Sequence, residues 1–159
     1  MSRETNLATQ ERAAAHLNAG EVDAAVDTLF APDAVDHDPA PGQGPGREGF
    51  RAFFQALVEA FPDARLDPEV TVADDEHVSL AYTLSGHHRG TFHGVEPTGN
   101  RVEVRGVQIG RFADGRIVER WGSTDELGIL QQIGAAPVTP GGDEPTLLTQ
   151  VKTALQPDS

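Results

Sequence analysis

Hydrophobic positions in the first sixty residues recur at helical spacing. Apolar and alanine residues recur through residues 7–17, a break falls at Gly20, and a second run covers residues 22–30. This pattern predicts a hairpin of two helices. A loop rich in proline and glycine starts at Pro32, and the strongly amphipathic residues 50–61 then predict a third helix that ends before a proline.

Beyond residue 62 the hydrophobic period changes to two, which predicts antiparallel strands. The alternating apolar positions are Val70, Val72, Val78, Leu80, Tyr82, Leu84, Val102, Val104, Ile117 and Trp121. Turn residues at 73–76 and 113–115 separate these strands. Three helices followed by a curved antiparallel sheet form an α+β fold, in which the sheet closes over the helices to bury its apolar face. We expect a cone-shaped α+β barrel with an internal pocket.

The chain has 159 residues, about the size of one domain. We expect residues 1–134 to form it, and residues 135–159 to be a proline- and glycine-rich linker with a short C-terminal helix or mobile tail. The net charge of −13 argues against nucleic acid and anionic membranes as partners, since both repel a negative protein. No apolar run is long enough to span a bilayer, and the start of the sequence has no apolar signal core. We expect a cytoplasmic protein that binds a small apolar or weakly polar molecule.

The segment of residues 114–125 brings a carboxylate to a strand end beside Trp121, the only tryptophan. If this strand is regular, Trp121 and Asp125 share the interior-facing parity of Ile117. A partly desolvated Asp125 could accept and return a proton. Asp125 also precedes a predicted short helix, where aspartate is a favoured N-cap, so the residues alone leave both roles open.

The histidines do not have the spacing of a metal site. His37 stands between two aspartates on the predicted loop, where it could orient substrate, relay a proton or belong to a solvated turn. His87 and His88 are adjacent in a strand and point to opposite faces, and His93 follows at a spacing that does not suit a metal. The sequence has no cysteine, its only lysine is Lys152, and it has no nucleophile elbow or nucleotide-binding glycine motif. We therefore expect general acid–base chemistry with neither metal nor cofactor.

Four motifs occur together along the chain. They are HDP at residues 37–39, FPD at residues 61–63, GTFHGVEPTG at residues 90–99, and DGRIVERW at residues 114–121 followed by Asp125 and LGILQQIG. In this order they resemble the SnoaL-like polyketide cyclases of the nuclear transport factor 2-like superfamily, over residues 7–134. The resemblance implies the cone-shaped fold, a homodimer or higher homo-oligomer formed through the outer sheet face, and no cofactor.

Well-studied members of that family close a ring in an aromatic polyketide ester by intramolecular aldol condensation, using a carboxylate that matches Asp125. The histidine partner expected on the neighbouring strand is absent, because residues 108–111 are Gln-Ile-Gly-Arg. His37, His88 or His93 would then have to assist the carboxylate. The residues predicted to contact or shape the substrate are Trp121, Gln108, Tyr82, Phe54 and Phe92.

The first expectation is a cofactor-independent cyclase of secondary metabolism, in which Asp125 is the general acid and base of ring closure. A second hypothesis keeps the fold and the carboxylate but opens an epoxide, as an oxygen-heterocycle cyclase or an epoxide hydrolase. A third is a non-catalytic small-molecule binding or assembly protein, since fold does not fix function. An interior filled by phenylalanine and leucine side chains, without a cavity beside Asp125, would favour the third.

Overall fold

The computed structural model describes residues 2–135. In chain order its elements are α1 (Arg3–Asn18), α2 (Val22–Leu29), β1 (Phe30–Asp36), α3 (Gly46–Ala60), β2 (Arg65–Ala73), β3 (His77–His87), β4 (Arg101–Ala113), β5 (Arg116–Thr124) and α4 (Glu126–Gln132). The predicted C-terminal helix and the linker before it, from residue 136 onward, lie outside the described residues.

The N-terminal helices form the predicted hairpin. Ser2 is the N-cap of α1, and its hydroxyl accepts a hydrogen bond from the backbone N–H of Thr5 at 3.2 Å. The hairpin turns at Gly20, which has φ of 78°, a left-handed conformation that glycine adopts without steric cost. α2 then buries one apolar stripe against the core, made of Val22, Ala25, Val26 and Leu29.

The segment after Leu29 is a strand, and the prediction of a loop from Pro32 is wrong for its first residues. β1 pairs in parallel with β5, with Phe30 opposite Ile117 and Val35 opposite Glu119. It is an edge strand in the order β1-β5-β4-β3-β2, where a proline that cannot donate a ladder hydrogen bond is tolerated. Its pairing places Asp36, the last residue of β1, opposite Arg120 in the middle of β5.

The helices cover the inner face of the sheet, which confirms the predicted α+β fold. The five strands are antiparallel except for the β1–β5 pair. On α3, the ring of Phe50 stacks on Phe30 with centroids 3.9 Å apart, which joins that helix to the start of β1. Within residues 2–135, no helix is long and apolar enough to cross a membrane.

A bulge in β5 sets which side chains enter the interior. Ile117 pairs with Phe112, but Glu119 pairs with Arg111, so Val118 is an extra residue in the ladder. The expectation that Trp121 faces the interior with Ile117 is therefore wrong. The outward-facing residues of the strand beyond the bulge are Glu119, Trp121 and Ser123, and the inward-facing ones are Arg120, Gly122 and Thr124.

Candidate active site

A cleft opens between α3, the loop after β1 and the second half of β5. Its first compartment has a volume of about 600 Å³ and is lined on its polar side by Asp36, Asp38, Gln43, Gln108, Arg120, Thr124, Asp125 and Glu126. The apolar wall consists mainly of four phenylalanines, Phe30, Phe50, Phe53 and Phe54. A few polar groups thus face an aromatic wall, as in many small-molecule sites.

A second compartment of about 290 Å³ adjoins the first. Both are lined by Phe54, Gln108, Arg120 and Thr124, so these residues lie at the junction. The second compartment is mainly apolar, and the residues found there but not in the first include Leu57, Leu66, Tyr82, Leu84, Phe92, His93 and Ile129. The cleft therefore suits a ligand with an oxygen-rich part and an apolar extension.

Asp125 lies between the end of β5 and the start of α4, and it lines the first compartment. Its Oδ1 accepts a hydrogen bond from the backbone N–H of Gly128 at 2.9 Å, so the predicted N-cap is confirmed. Its own N–H donates to the carbonyl of Arg105 at 3.0 Å. The side chain is exposed rather than desolvated by Trp121, because the bulge turns the indole to the other face of the sheet. Oδ2 is the oxygen left for proton transfer.

An ion pair joins the first strand to the last inside the cleft. Arg120 Nη1 lies 3.2 Å from Asp36 Oδ1, and the two side chains are only 13% and 8% exposed. Asp36 also accepts from the side-chain amide of Gln43 at 3.0 Å and from the backbone N–H of Asp38 at 3.0 Å. Arg120 Nε points at Gln108 Oε1 at 3.4 Å. These bonds fix the guanidinium at the junction of the two compartments.

Arg120 was not among the residues predicted for the site. The sequence pattern indicated Asp36 only as one of the two aspartates that flank His37. Arg120 carries no spacing signal, because the parity of β5 changes at Val118, and Asp36 lies at the end of a strand that the sequence pattern predicted as a loop. The available hint was the DGRIVERW motif, which contains Arg120 but does not show which way its side chain points.

His37 lies outside the cleft, on the outer face of the sheet. Its ring stacks on Trp121, and its Nε2 lies 3.3 Å from Glu119 Oε1. The hydrogen bond from Arg111, followed by the one to His37, lowers the pKa of Glu119 below its ordinary value. The structure thus places His37 in a surface network rather than beside Asp125.

Among residues 2–135, the other two candidate histidines form no hydrogen bond or ion pair with Asp125. His88 is fully buried, and its Nδ1 accepts from the backbone N–H of Thr98 at 3.2 Å, so it belongs to the loop that follows β3. His93 lines the second compartment and has its Nε2 3.9 Å from Glu126 Oε2. The three histidines are therefore not gathered at one point.

The predicted substrate contacts divide in the same way. Gln108 and Phe54 line both compartments, and Tyr82 and Phe92 line the second. Trp121 lines neither of them, so its predicted contact with substrate is not supported by its position.

Within residues 2–135, the structure has no group of three or more histidine, aspartate or glutamate side chains placed to hold a metal ion.

Helices that cover a curved sheet, with a carboxylate at the rim of an open cleft, define a class of small α+β cone proteins. The sequence profile of the SnoaL-like polyketide cyclases matches residues 8–133, so the chain belongs to that family. A relative from Streptomyces peucetius, the aklanonic acid methyl ester cyclase DnrD, is 30% identical over 115 residues, which are 72% of this chain and 77% of DnrD.

Two solved structures extend this comparison. TsrD from Streptomyces laurentii has a TM-score of 0.77 and 26% identity, with 86% of this chain and 99% of TsrD covered. IdmH from Streptomyces antibioticus, a proposed polyketide cyclase, has a TM-score of 0.70 and 32% identity, with 81% of this chain and 98% of IdmH covered. Both are similar to this chain over nearly their whole length.

Proposed function

We propose that this protein closes a ring in a polyketide ester by intramolecular aldol condensation, with Asp125 as general acid and base. The observation that carries the proposal is the placement of Asp125, with Oδ1 fixed by Gly128 and with the carboxylate at the rim of an aromatic-walled cleft of about 600 Å³. Membership of the cyclase family and the similarity to DnrD, an aklanonic acid methyl ester cyclase, support the choice of reaction.

The chemistry needs one proton carrier and a means of orienting two carbons. The carboxylate of Asp125 takes a proton from a carbon between two carbonyl groups, and the electron pair moves into an enolate. The enolate carbon attacks a ketone carbonyl of the same molecule and forms the new carbon–carbon bond. The resulting alkoxide takes the proton back from Asp125, so the product is an isomer of the substrate. Holding both ends in one cleft supplies the proximity that such a step requires.

The test compares Asp125→Asn with the wild-type protein. Asparagine caps a helix about as well as aspartate, so the variant should fold normally, yet it cannot take a proton. We expect turnover of aklanonic acid methyl ester, followed by chromatography with mass detection, to fall by about 100-fold or more. Full activity in the variant would exclude Asp125 as the acid and base.

A matched control is Asp114→Asn. Asp114 lies in the turn at the other end of the β4–β5 hairpin and has φ of 51°, a conformation that asparagine also tolerates. This control makes the same chemical change away from the cleft, so its activity should equal that of the wild type.

A second substrate pool of epoxides tests the epoxide hypothesis, in which a product heavier by one water would indicate hydrolysis.

The binding-protein hypothesis loses the observation that would have favoured it. The interior beside Asp125 is not filled by side chains, since the first compartment reaches that residue. A pocket of this size with polar groups at its rim meets the requirements of a binding site as well as of a reactive one, so turnover by the wild-type protein is the observation that decides between them.

A further inference from the structure

Arg120 enters the cleft because of the bulge at Val118. Beyond that bulge its side chain lies on the inner face, opposite Gly110 on β4. Gly122 leaves room for the guanidinium, since a Cβ atom there would lie 3.1 Å from Arg120 Nη2, and Arg120 lines both compartments. Arg120 is the only arginine or lysine among the described residues that line the two compartments.

The donors of this guanidinium are only partly used. Of its five N–H groups, the one on Nε faces Gln108 and those on Nη1 face Asp36 and the carbonyl of Gly122 at 3.5 Å. Among residues 2–135, Nη2 has no hydrogen-bond acceptor, and the atom is not fully buried. Two N–H groups are thus presented to a ligand in the cleft.

The charge around Arg120 determines which ligand those donors suit. Asp36 neutralises the guanidinium, and the other ionisable groups lining the first compartment are the acidic Asp38, Asp125 and Glu126. A free carboxylate would meet repulsion there, whereas a neutral carbonyl would accept the hydrogen bonds without that cost. Donors of this kind act most strongly when negative charge develops on the oxygen during reaction.

We propose that Arg120 Nη2 holds the carbonyl oxygen that becomes the enolate oxygen, and that Asp36 positions Arg120 and makes the site select a neutral ester over the free acid. The inference rests on the proposed function, since it assigns a role within that reaction. When Asp125 removes the proton, the electron pair moves onto the oxygen that Arg120 contacts. Gln43 and the backbone of Asp38 hold Asp36 in place for this purpose.

The selectivity is tested by binding alone, without turnover. The background is the full chain carrying Asp125→Asn, and calorimetry measures its affinity for aklanonic acid methyl ester and for the corresponding free acid. We expect the ester to bind more tightly. Adding Asp36→Asn keeps a hydrogen-bond acceptor for Arg120 but removes the compensating charge, so the ester-to-acid affinity ratio should fall by about tenfold. An unchanged ratio, or no binding of the ester, would overturn the proposal.

Arg111→Gln is the matched control in the same background. Arg111 also pairs with a carboxylate, Glu119, at 2.5 Å, but on the outer face of the sheet. If the loss of any arginine–carboxylate pair changed the ester-to-acid affinity ratio, the ratio would change in this control as well. We expect no change there, and an equal change in control and Asp36→Asn would overturn the assignment.

The catalytic role of Arg120 is tested by measuring turnover in protein that retains Asp125. Arg120→Gln should lower kcat by about 100-fold with a smaller change in KM, because the lost donor acts mainly on the charge of the transition state. Since removing one partner of a buried pair can unfold a protein, the double variant Asp36→Asn with Arg120→Gln removes both charges together. A folded single or double variant whose kcat stays within about threefold of the wild type would overturn the role of Arg120.

The two assignments fail in different ways. An inactive Asp125→Asn with a fully active Arg120→Gln would reject the oxygen-holding role and leave the base in place. The opposite result would reject Asp125 as base while retaining Arg120 as the residue that contacts the reacting oxygen.

Discussion

The imidazole of His37 stacks on the indole of Trp121, with ring centroids 4.7 Å apart and planes within 9° of parallel, on the outer face of the sheet. Trp121 pairs with Ile109 on that face, where Val70, Val72 and Val107 are also exposed. Arginine–glutamate pairs border this outer apolar face on both sides, one between Arg105 and Glu69 and the other between Arg111 and Glu119. The outer apolar face thus has little local net charge, although the whole protein is strongly negative.

We expect two copies of the chain to associate through the outer apolar face. A second copy can approach this region because its ion pairs are already neutralised, and burial of the valines and Ile109 favours association. Ile109→Asp should convert the dimer to a monomer, as measured by size-exclusion chromatography with light scattering. Leu127→Asp, an exposed apolar residue elsewhere, should leave the dimer intact. A wild-type monomer at micromolar concentrations would contradict the prediction.

Most of the fold could be predicted from the sequence because its elements have strong periodicity. The apolar residues of α3 recur at helical spacing, and the residues of β3 and β4 alternate between buried positions and partly or fully exposed ones. β1 could not be predicted in this way. It is an edge strand that contains Pro32, and its apolar residue Val35 is exposed, so its sequence does not show a regular alternation. Its partner in the sheet also lies more than eighty residues away in sequence, at Ile117 and Glu119.

The FPD motif has a structural role at the end of β3. Asp63 accepts a hydrogen bond from the backbone N–H of His87 at 2.8 Å, and its other oxygen lies 2.6 Å from His87 Nδ1. The backbone N–H of His87, followed by its side chain, lowers the pKa of Asp63 below the ordinary value of 3.8. Asp63 therefore stabilises the fold above that ordinary pKa, and this contribution is lost as the pH falls through the lower pKa of the folded state.

Asp63→Asn should make unfolding less dependent on pH between about pH 5 and pH 2. The side chain of Asp63 is 48% exposed, so the contribution is screened and should be below about 1 kcal/mol at neutral pH. Urea unfolding at several pH values measures it, with Asp67→Asn as a control for a surface carboxylate on the next strand. Parallel stability curves for Asp63→Asn and the wild type would contradict this account.

The candidate site was only half predictable. Asp125 could be found because it stands at a strand-to-helix junction, where the sequence changes period. Arg120 could not, because the parity of β5 changes at Val118, a residue type that is ordinary in any strand. Asp36 could not, because it ends an edge strand whose partner lies far away in sequence. The same bulge explains why Trp121, which sequence parity placed beside the carboxylate, stacks on His37 instead.

A hydrogen bond between Tyr82 and Thr124 supports the junction of the compartments. Their hydroxyl oxygens are 2.6 Å apart, and Tyr82 is buried. Thr124→Val keeps the shape of the side chain but leaves the tyrosine hydroxyl without its partner, so it should lower the free energy of unfolding by about 1–3 kcal/mol. The double variant with Tyr82→Phe should lose less, because both polar groups are removed.

A double-mutant cycle by urea denaturation measures this coupling. Thr83→Val is the control, because it removes a threonine hydroxyl from the exposed face of β3, where its partner is Glu69. Strictly additive effects of Tyr82→Phe and Thr124→Val would show that the bond does not stabilise the fold.

Gly128 keeps space for the carboxylate of Asp125. A Cβ atom on Gly128 would lie 2.4 Å from Asp125 Oδ2, the oxygen assigned to proton transfer, and 3.1 Å from Val104 Cγ1. Gly128→Ala should therefore displace the carboxylate, which is the movable group at this contact. Alanine also favours the helix by about 1 kcal/mol relative to glycine, so stability should change little while kcat falls.

Steady-state kinetics and thermal unfolding of Gly128→Ala together separate these effects. We expect kcat to fall by about tenfold or more, since a displacement on the order of 1 Å is enough to impair a positioned catalytic group. Gly44→Ala is the control, because a Cβ at that loop glycine meets no atom within 4 Å and its φ is not left-handed. A Gly128→Ala protein with wild-type kcat would show that the position of Asp125 Oδ2 does not matter to the reaction, and the proton-transfer role of this carboxylate would have to be abandoned.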